Sequence, residues 1–405
     1  MWKFFTLSVL ILLSSCADKK EVHRDISTSE NTIAIGFVDS LYSNILHEER
    51  KVWIYIPNSF SYSIYTGQRN YPVAYLLDGN THFHAFTGIL EHLSEENGNL
   101  VCPDMMVVGI LNTNRNRDFT PTTDVDVKES GGGEKFSEFI EKELLPHIDS
   151  IYHPLPFRML VGHSYGGLAA INIMLHHAAP FNAFLAIDPS LSWDNQVILK
   201  QADTLLAKTD FGNKRLFIGI ANTMGSDISL KRLQQDTSAD NRHIRSLLTF
   251  VNYLKNKDLR SLRWDYNFYE DEDHYSVPIR AEYDALHFIF RNYPFTAYNE
   301  LFDSTISTDS AKRIVTDHFQ NLSSELGYRV LPPEHFINAV AGMFLRDRLV
   351  ARSEAFYVMN VQCYPQSSNA NKSMAEFYAR QNEKEKAAVY FKQANTLGKN
   401  RSAHP

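Results

Sequence analysis

A serine set between two glycines, in Gly162-His163-Ser164-Tyr165-Gly166, is the best candidate in this chain for covalent chemistry. A serine hydroxyl is a weak nucleophile near neutral pH and needs an adjacent base to take its proton. The G-x-S-x-G spacing supplies the geometry, a sharp strand-to-helix turn that leaves the Oγ exposed at the carboxyl end of the strand. The flanking sequence agrees: residues 158–161 read as a short buried strand and residues 167–174 as the helix that follows. The two glycines, lacking a Cβ, let helix and strand approach closely around the serine. With Gly and Ser each at about 7% of residues, such a pentapeptide arises by chance in about one chain in seven of this length. The weight therefore rests on its partners.

A general base should lie C-terminal to the serine, on the loop after the last strand of the domain. Among sixteen histidines, His274 meets that condition, following the strand-like run 263–268 and preceding a helix over about 280–290. The acid that would orient it is expected on the loop after the preceding strand, 216–220, where Asp227, Asp236 and Asp240 are available. Asp240 is favoured because it immediately precedes the helix 241–255, with Asp236 in reserve. An Asp in that position also reads as a helix N-cap. A Ser164–His274 dyad is the third possibility, with the acidic run 270–273 favouring the protonated imidazole. Two backbone amides must face the developing oxyanion. Tyr165 supplies one, and Asn80 in Leu77-Asp78-Gly79-Asn80-Thr81 is the candidate for the other, although Asp78-Gly79 fits a simple turn equally well. This chemistry requires no metal or organic cofactor.

These residues need a frame. From about residue 31 to 294 strand-like and helix-like runs alternate, which predicts an α/β fold, a mostly parallel sheet with helices on both faces. The strands are expected at 51–56, 73–77, 105–110, 158–161, 183–187, 216–220 and 263–268, with an amphipathic helix over 134–148. After Pro294 only helical periodicity remains. A helix over 310–326 ends at Gly327, and Ala341, Phe344 and Phe356 recur as Ala375, Tyr378 and Tyr390, each 34 residues later (378 − 344). That is the period of a tetratricopeptide repeat. With only two copies, such a tail is expected to lean on the catalytic domain or on a protein partner.

The remaining composition narrows the function classes. The chain has 405 residues and a net charge of −7, with no basic stretch interleaved with aromatics, which gives no support for nucleic-acid binding. Cys16, Cys102 and Cys363 are too few and too scattered for a disulfide framework or a zinc cluster. Lys3 followed by an apolar stretch over 4–13, too short to span a bilayer, reads as an export signal. Its end, Leu13-Ser14-Ser15-Cys16, resembles a bacterial lipobox, which implies a lipidated Cys16 and a lipoprotein of the cell envelope; the other reading is an ordinary signal peptide cut after a small residue, with Cys16 incidental. The expected organisation is thus a signal and tether start over 1–20, a hydrolase domain over 31–295 and a helical tail over 296–405.

Several blocks in order resemble the putative-esterase family of α/β hydrolases, which includes enterochelin-type siderophore esterases, S-formylglutathione hydrolase and feruloyl esterases. They are Glu48-Glu49-Arg50 before the first expected strand, Tyr75-Leu76-Leu77-Asp78-Gly79, Arg117-Asp118-Phe119-Thr120-Pro121, Gly131-Gly132-Gly133, Glu143-Leu144-Leu145-Pro146, Gly162 to Gly167 and Asp273 to Pro278. The resemblance implies an α/β-hydrolase fold acting on a small-molecule ester, with Ser164 as nucleophile, His274 as base and the amides of Asn80 and Tyr165 as oxyanion donors. Between Ile220 and Asp240 the polar segment is longer than the family pattern, so the acid is left open. Arg115, Arg117 and Asp118 either line the cleft or form a buried ion pair, and Ser190, Trp193 and Asp194 stand where such folds build a pocket wall. An acyltransferase on the same fold, or an inert scaffold that recruits a partner through its tail, are the alternatives.

Overall fold

Eight strands pair in the order β1-β2-β4-β3-β5-β6-β7-β8 in the computed structural model, which describes residues 33–57, 70–94, 100–225, 228–233, 235–259 and 261–402. The strands are β1 Phe37–Ser43, β2 Glu48–Tyr55, β3 Val73–Leu76, β4 Met106–Ile110, β5 Arg158–His163, β6 Ala183–Ile187, β7 Lys214–Ala221 and β8 Leu262–Tyr269. β1 and β2 pair antiparallel, as do β2 and β4, and every pairing from β4 through β3 to β8 is parallel. The expected lipidation site Cys16 and one acid candidate, Asp227, lie outside the described residues.

Successive residues of the central strands feed opposite faces of the sheet. Val73 and Tyr75 enter one buried cluster with Phe136, Ile171 and Phe250, whereas Ala74 and Leu76 enter another with Phe86, Leu286 and Phe290. Burial on both faces is the reason these strands read as continuous apolar runs.

Two elements differ from expectation. The first strand is β1, so Glu48, Glu49 and Arg50 open β2 rather than precede the first strand. β1 is an edge strand whose residues alternate between exposed and covered, and Asp39 and two serines break its apolar signal. The helix expected over 134–148 is instead Gly133–Phe139 and Leu145–Tyr152, joined by a single wide π turn at Ile140–Leu144.

Beyond the sheet lie helices Thr308–Leu326, Glu334–Arg346, Val350–Cys363, Ser368–Arg380 and Lys384–Ser402. The second and fourth start 34 residues apart (368 − 334), as do the third and fifth (384 − 350). These helices do not stand apart from the catalytic domain. Val315, Phe319 and Phe344 join the cluster that holds Leu286 and Phe290, and Arg215 of β7 reaches Glu325 at 2.8 Å. Among the described residues no helix is long and apolar enough to cross a membrane.

Candidate active site

Ser164 follows β5 directly and heads the helix Tyr165–His176, with φ 58° and ψ −117°. That conformation is sparsely populated by residues with a Cβ and costs about 1–3 kcal/mol unless its surroundings enforce it. They do so here. The Ser164 amide donates to Ile187 O of β6 at 2.9 Å, and its carbonyl accepts from Leu168 and Ser190 amides. A Cβ on Gly162 would sit 2.2 Å from Gly166 O, and one on Gly167 would sit 2.9 Å from Pro189 Cα, so neither glycine can be replaced without moving backbone.

His274 stands on the loop after β8, and its Nε2 lies 3.0 Å from Ser164 Oγ. Its Nδ1 lies 2.5 Å from Oδ2 of Asp188. The pairing fixes the tautomer: Nδ1–H donates to the carboxylate, and Nε2 is left to accept the serine proton. Asp188 is fully buried at the end of β6. Burial works against its ionisation, but hydrogen bonds from His243 and His274, the nearby imidazole charge and the Ala221 amide outweigh it, holding the carboxyl down at about 2.

The acid at His274 is therefore neither Asp240 nor Asp236. Asp240 is exposed in the turn before the helix Arg242–Lys255. Asp236 accepts from Arg245 at 2.5 Å, from Ser238 and from Asn241, which ties down the start of that helix. The carboxylate that meets His274 follows β6, whereas Asp240 and Asp236 were expected after β7. β6 lies next to β5 in the sheet with Ile187 opposite His163, so the residue after Ile187 falls beside Ser164. The available signal was Asp188 itself, a carboxylate at the carboxyl end of an apolar strand and between serine and histidine in chain order.

The other site residues cluster at the same sheet edge. Asn80 is the second residue of the helix Gly79–Leu93, and Tyr165 is the first residue of the helix after the serine. Amides in a first helical turn have no intrahelical acceptor and are free for an anion. The two helix starts adjoin, since a Cβ on Gly166 would lie 3.2 Å from Asp78 Oδ2. Asp78 has φ 53°, and its carboxylate accepts from Arg115 through both oxygens, at 2.6 and 2.9 Å, and from Asn112 at 2.6 Å. Arg115 thus braces the Asn80 loop. Arg117 and Asp118 form a separate network with Arg50 and Glu48, in which Arg50 meets buried Asp118 at 2.6 Å. Ser190 Oγ is 3.4 Å from Ser164 Oγ, and the Trp193 ring stands edge-on to Tyr165 at 5.3 Å. Trp193 Nε1 and Asp194 both bond Thr122 Oγ1, and Asp194 to Gln196 all have positive φ.

Behind the catalytic loop sit further titratable groups. His163 is buried, and loss of hydration, with the positive fields of His274 and His82, lowers it to about 4. It is neutral at pH 7, and its Nε2–H donates to the His274 carbonyl at 2.7 Å. Glu282 is only 1% exposed, its carboxylate oxygens have no hydrogen-bond partner among the described residues, with His82 Nδ1 3.9 Å away, and burial pushes it up to about 8. An unfolded chain releases that proton near 4.5, whereas the folded chain keeps it until about 8, so stability is lost as pH rises between those values. Glu282→Gln removes the titration. Its melting temperature should match the parent near pH 4 and exceed it increasingly up to about pH 8, with no further gain above, and thermal melts across that range check it.

Asp188, His243 and His274 place one ligand atom each within 4.8 Å of one another, a candidate metal set. Both imidazoles, however, bond the same Oδ2, at 2.5 and 2.9 Å. Those separations are shorter than the about 3.3 Å expected between ligand atoms of a tetrahedral zinc with about 2.0 Å bonds. The cluster is thus accounted for as a hydrogen-bonded chain.

The family profile described as Putative esterase matches residues 43–245. Ferri-bacillibactin esterase BesA of Bacillus subtilis is 31% identical over 169 residues, 37% of this chain and 58% of its own length. The siderophore enterobactin esterase of Emericella nidulans is 26% identical over 50% of this chain and 77% of its own length. The chain thus spans under two thirds of the first of these curated relatives. An IroE-like serine hydrolase from Shewanella oneidensis superposes with a TM-score of 0.64 at 30% identity, covering 81% of this chain and 99% of that one. An uncharacterised protein from Capnocytophaga ochracea shares the fold over 88% of this chain, with a TM-score of 0.62 at 17% identity. With its parallel sheet and strand-to-helix serine turn, the chain belongs to the putative esterase family, the ester hydrolases of the α/β-hydrolase fold.

Proposed function

We propose that the protein is a serine carboxylic-ester hydrolase that works through an acyl-enzyme, with Ser164 as nucleophile, His274 as base and Asp188 as the acid that orients it. The observation that carries this reading is the unbroken chain from Ser164 Oγ to His274 at 3.0 Å and on to buried Asp188 at 2.5 Å. In acylation, His274 Nε2 takes the serine proton as Oγ bonds to the ester carbonyl carbon. The oxyanion is held by the amides of Tyr165 and Asn80, and collapse breaks the bond to the alcohol oxygen, which leaves with the proton from His274. Water then repeats the sequence on the acyl-serine and releases the acid.

Relatives named as siderophore esterases support a siderophore ester as substrate. The sequence at Cys16 supports export and a lipid anchor, and the 34-residue helix offset supports a tetratricopeptide-like tail that could hold a protein partner. The enzyme should hydrolyse p-nitrophenyl esters and ferric or free siderophore esters, and a fluorophosphonate should label it at Ser164, as read by peptide mass spectrometry. Absence of labelling overturns the serine mechanism. Labelling with hydrolysis of p-nitrophenyl but not siderophore esters overturns the substrate alone.

A further inference from the structure

The loop after β7, where sequence order leads one to seek the acid, delivers an imidazole instead. His243 is the second residue of the helix Arg242–Lys255, and its Nε2 lies 2.9 Å from Oδ2 of Asp188, the same oxygen that His274 contacts. The two rings meet edge to face at 5.5 Å. The helix start that presents His243 is itself tied down: Asp236 bonds both Asn241 and Arg245, and Asn241 Oδ1 accepts from the Gly225 amide at 3.1 Å. We infer that His243 is a second-histidine positioning residue, which donates to Asp188 and fixes the carboxylate against His274. This inference rests on the serine-hydrolase reading above.

The physical argument concerns a buried carboxylate with several lone pairs to satisfy. Asp188 has no exposed surface, so each donor it receives both compensates its charge and limits its rotation. Oδ1 accepts from the Ala221 amide at 3.0 Å, and Oδ2 accepts from His243 and His274. Only the His274 donor changes charge when serine is attacked. The Ala221 and His243 donors hold the plane of the carboxylate while it does so, and without His243 the oxygen facing His274 keeps no other fixed partner among the described residues. A charge-assisted hydrogen bond of this kind is also the interaction that keeps the shared proton on the imidazole rather than on the acid.

The test compares His243→Ala with His243→Gln, whose side-chain amide can place an N–H at similar reach. Active serines are first counted in each variant by fluorophosphonate titration, so that loss of folded protein is separated from loss of turnover. Per titrated Ser164, His243→Ala should lower kcat by about 10-fold with KM little changed, and His243→Gln should recover to within about 2-fold of the parent. In an Asp188→Asn background, His243→Ala should add no further loss, since its effect passes through that carboxylate. A kcat for His243→Ala within 2-fold of the parent overturns the inference. So does a Gln variant as impaired as Ala, or an Ala effect undiminished in the Asp188→Asn background. Failure of the parent enzyme itself to label at Ser164 would instead overturn the serine-hydrolase reading.

Discussion

Ser164→Gly is expected to abolish ester hydrolysis, by on the order of 10⁶-fold in kcat, and yet to raise the melting temperature. The two effects come from one residue. Among the described residues its hydroxyl is the partner of His274 Nε2, at 3.0 Å, so on the proposed mechanism its removal takes away the nucleophile. Its Cβ is the reason the backbone at φ 58° and ψ −117° is strained, by about 1–3 kcal/mol. Glycine adopts that conformation without penalty but gives back about 1 kcal/mol through the greater freedom of the unfolded chain. The net gain corresponds to roughly 1–3 °C for a folded unit of this size. Ser164→Ala is the control, because it loses the hydroxyl and keeps the Cβ. It should lose the same activity without the thermal gain. Hydrolysis retained by either variant would show that another group attacks the ester, whereas a Ser164→Gly protein that melts below Ser164→Ala would show that the turn stores no strain beyond the glycine's own entropic cost.

The serine turn was legible because everything that defines it is local: an apolar strand, small residues at the points of closest approach, and a helix behind. Gly162, Gly166 and Gly167 carry that information in the sequence, and the contacts that a Cβ would meet explain why. His274 was legible through chain order, with a loop after the last strand of an alternating pattern. The acid was not, because its place depends on which strands are neighbours and in what register. Pairing of His163 with Ile187 brings Asp188 beside Ser164, and no periodicity within either strand encodes that pairing. Asp240 drew attention for a local reason, its place just before a helix, and in the structure it lies exposed in the turn there while Asn241 holds the cap position. β1 was missed for a related reason. An exposed edge strand with Asp39 and serines among its residues lacks the continuous apolar run that marks the buried strands.

Asp188→Asn should lower kcat by about 10⁴-fold with little change in KM, while Asp240→Asn and Asp236→Asn stay within about 2-fold of the parent. An asparagine keeps the volume of the side chain, so the buried site at the end of β6 can still close around it. Its amide can turn an N–H toward His274 Nδ1, where the carboxylate could only accept. The imidazole is then held with its proton on Nε2, pointing at Ser164, and cannot act as the base. Asp236→Asn should instead lower the melting temperature slightly, because it weakens the partly exposed contact with Arg245 rather than anything at the serine. The loss in Asp188→Asn should also be nearly constant from about pH 5 upward. With the parent carboxyl held at about 2, below its ordinary 3.8, the ionised form and the stability it contributes are fully present above about pH 4. Both are lost only as pH falls toward 2, so Asp188 does not set the acid limb of the activity profile above about pH 4. Full kcat retained in Asp188→Asn, or a comparable fall in Asp240→Asn, would return the acid to the loop after β7 and require that loop to rearrange when substrate binds.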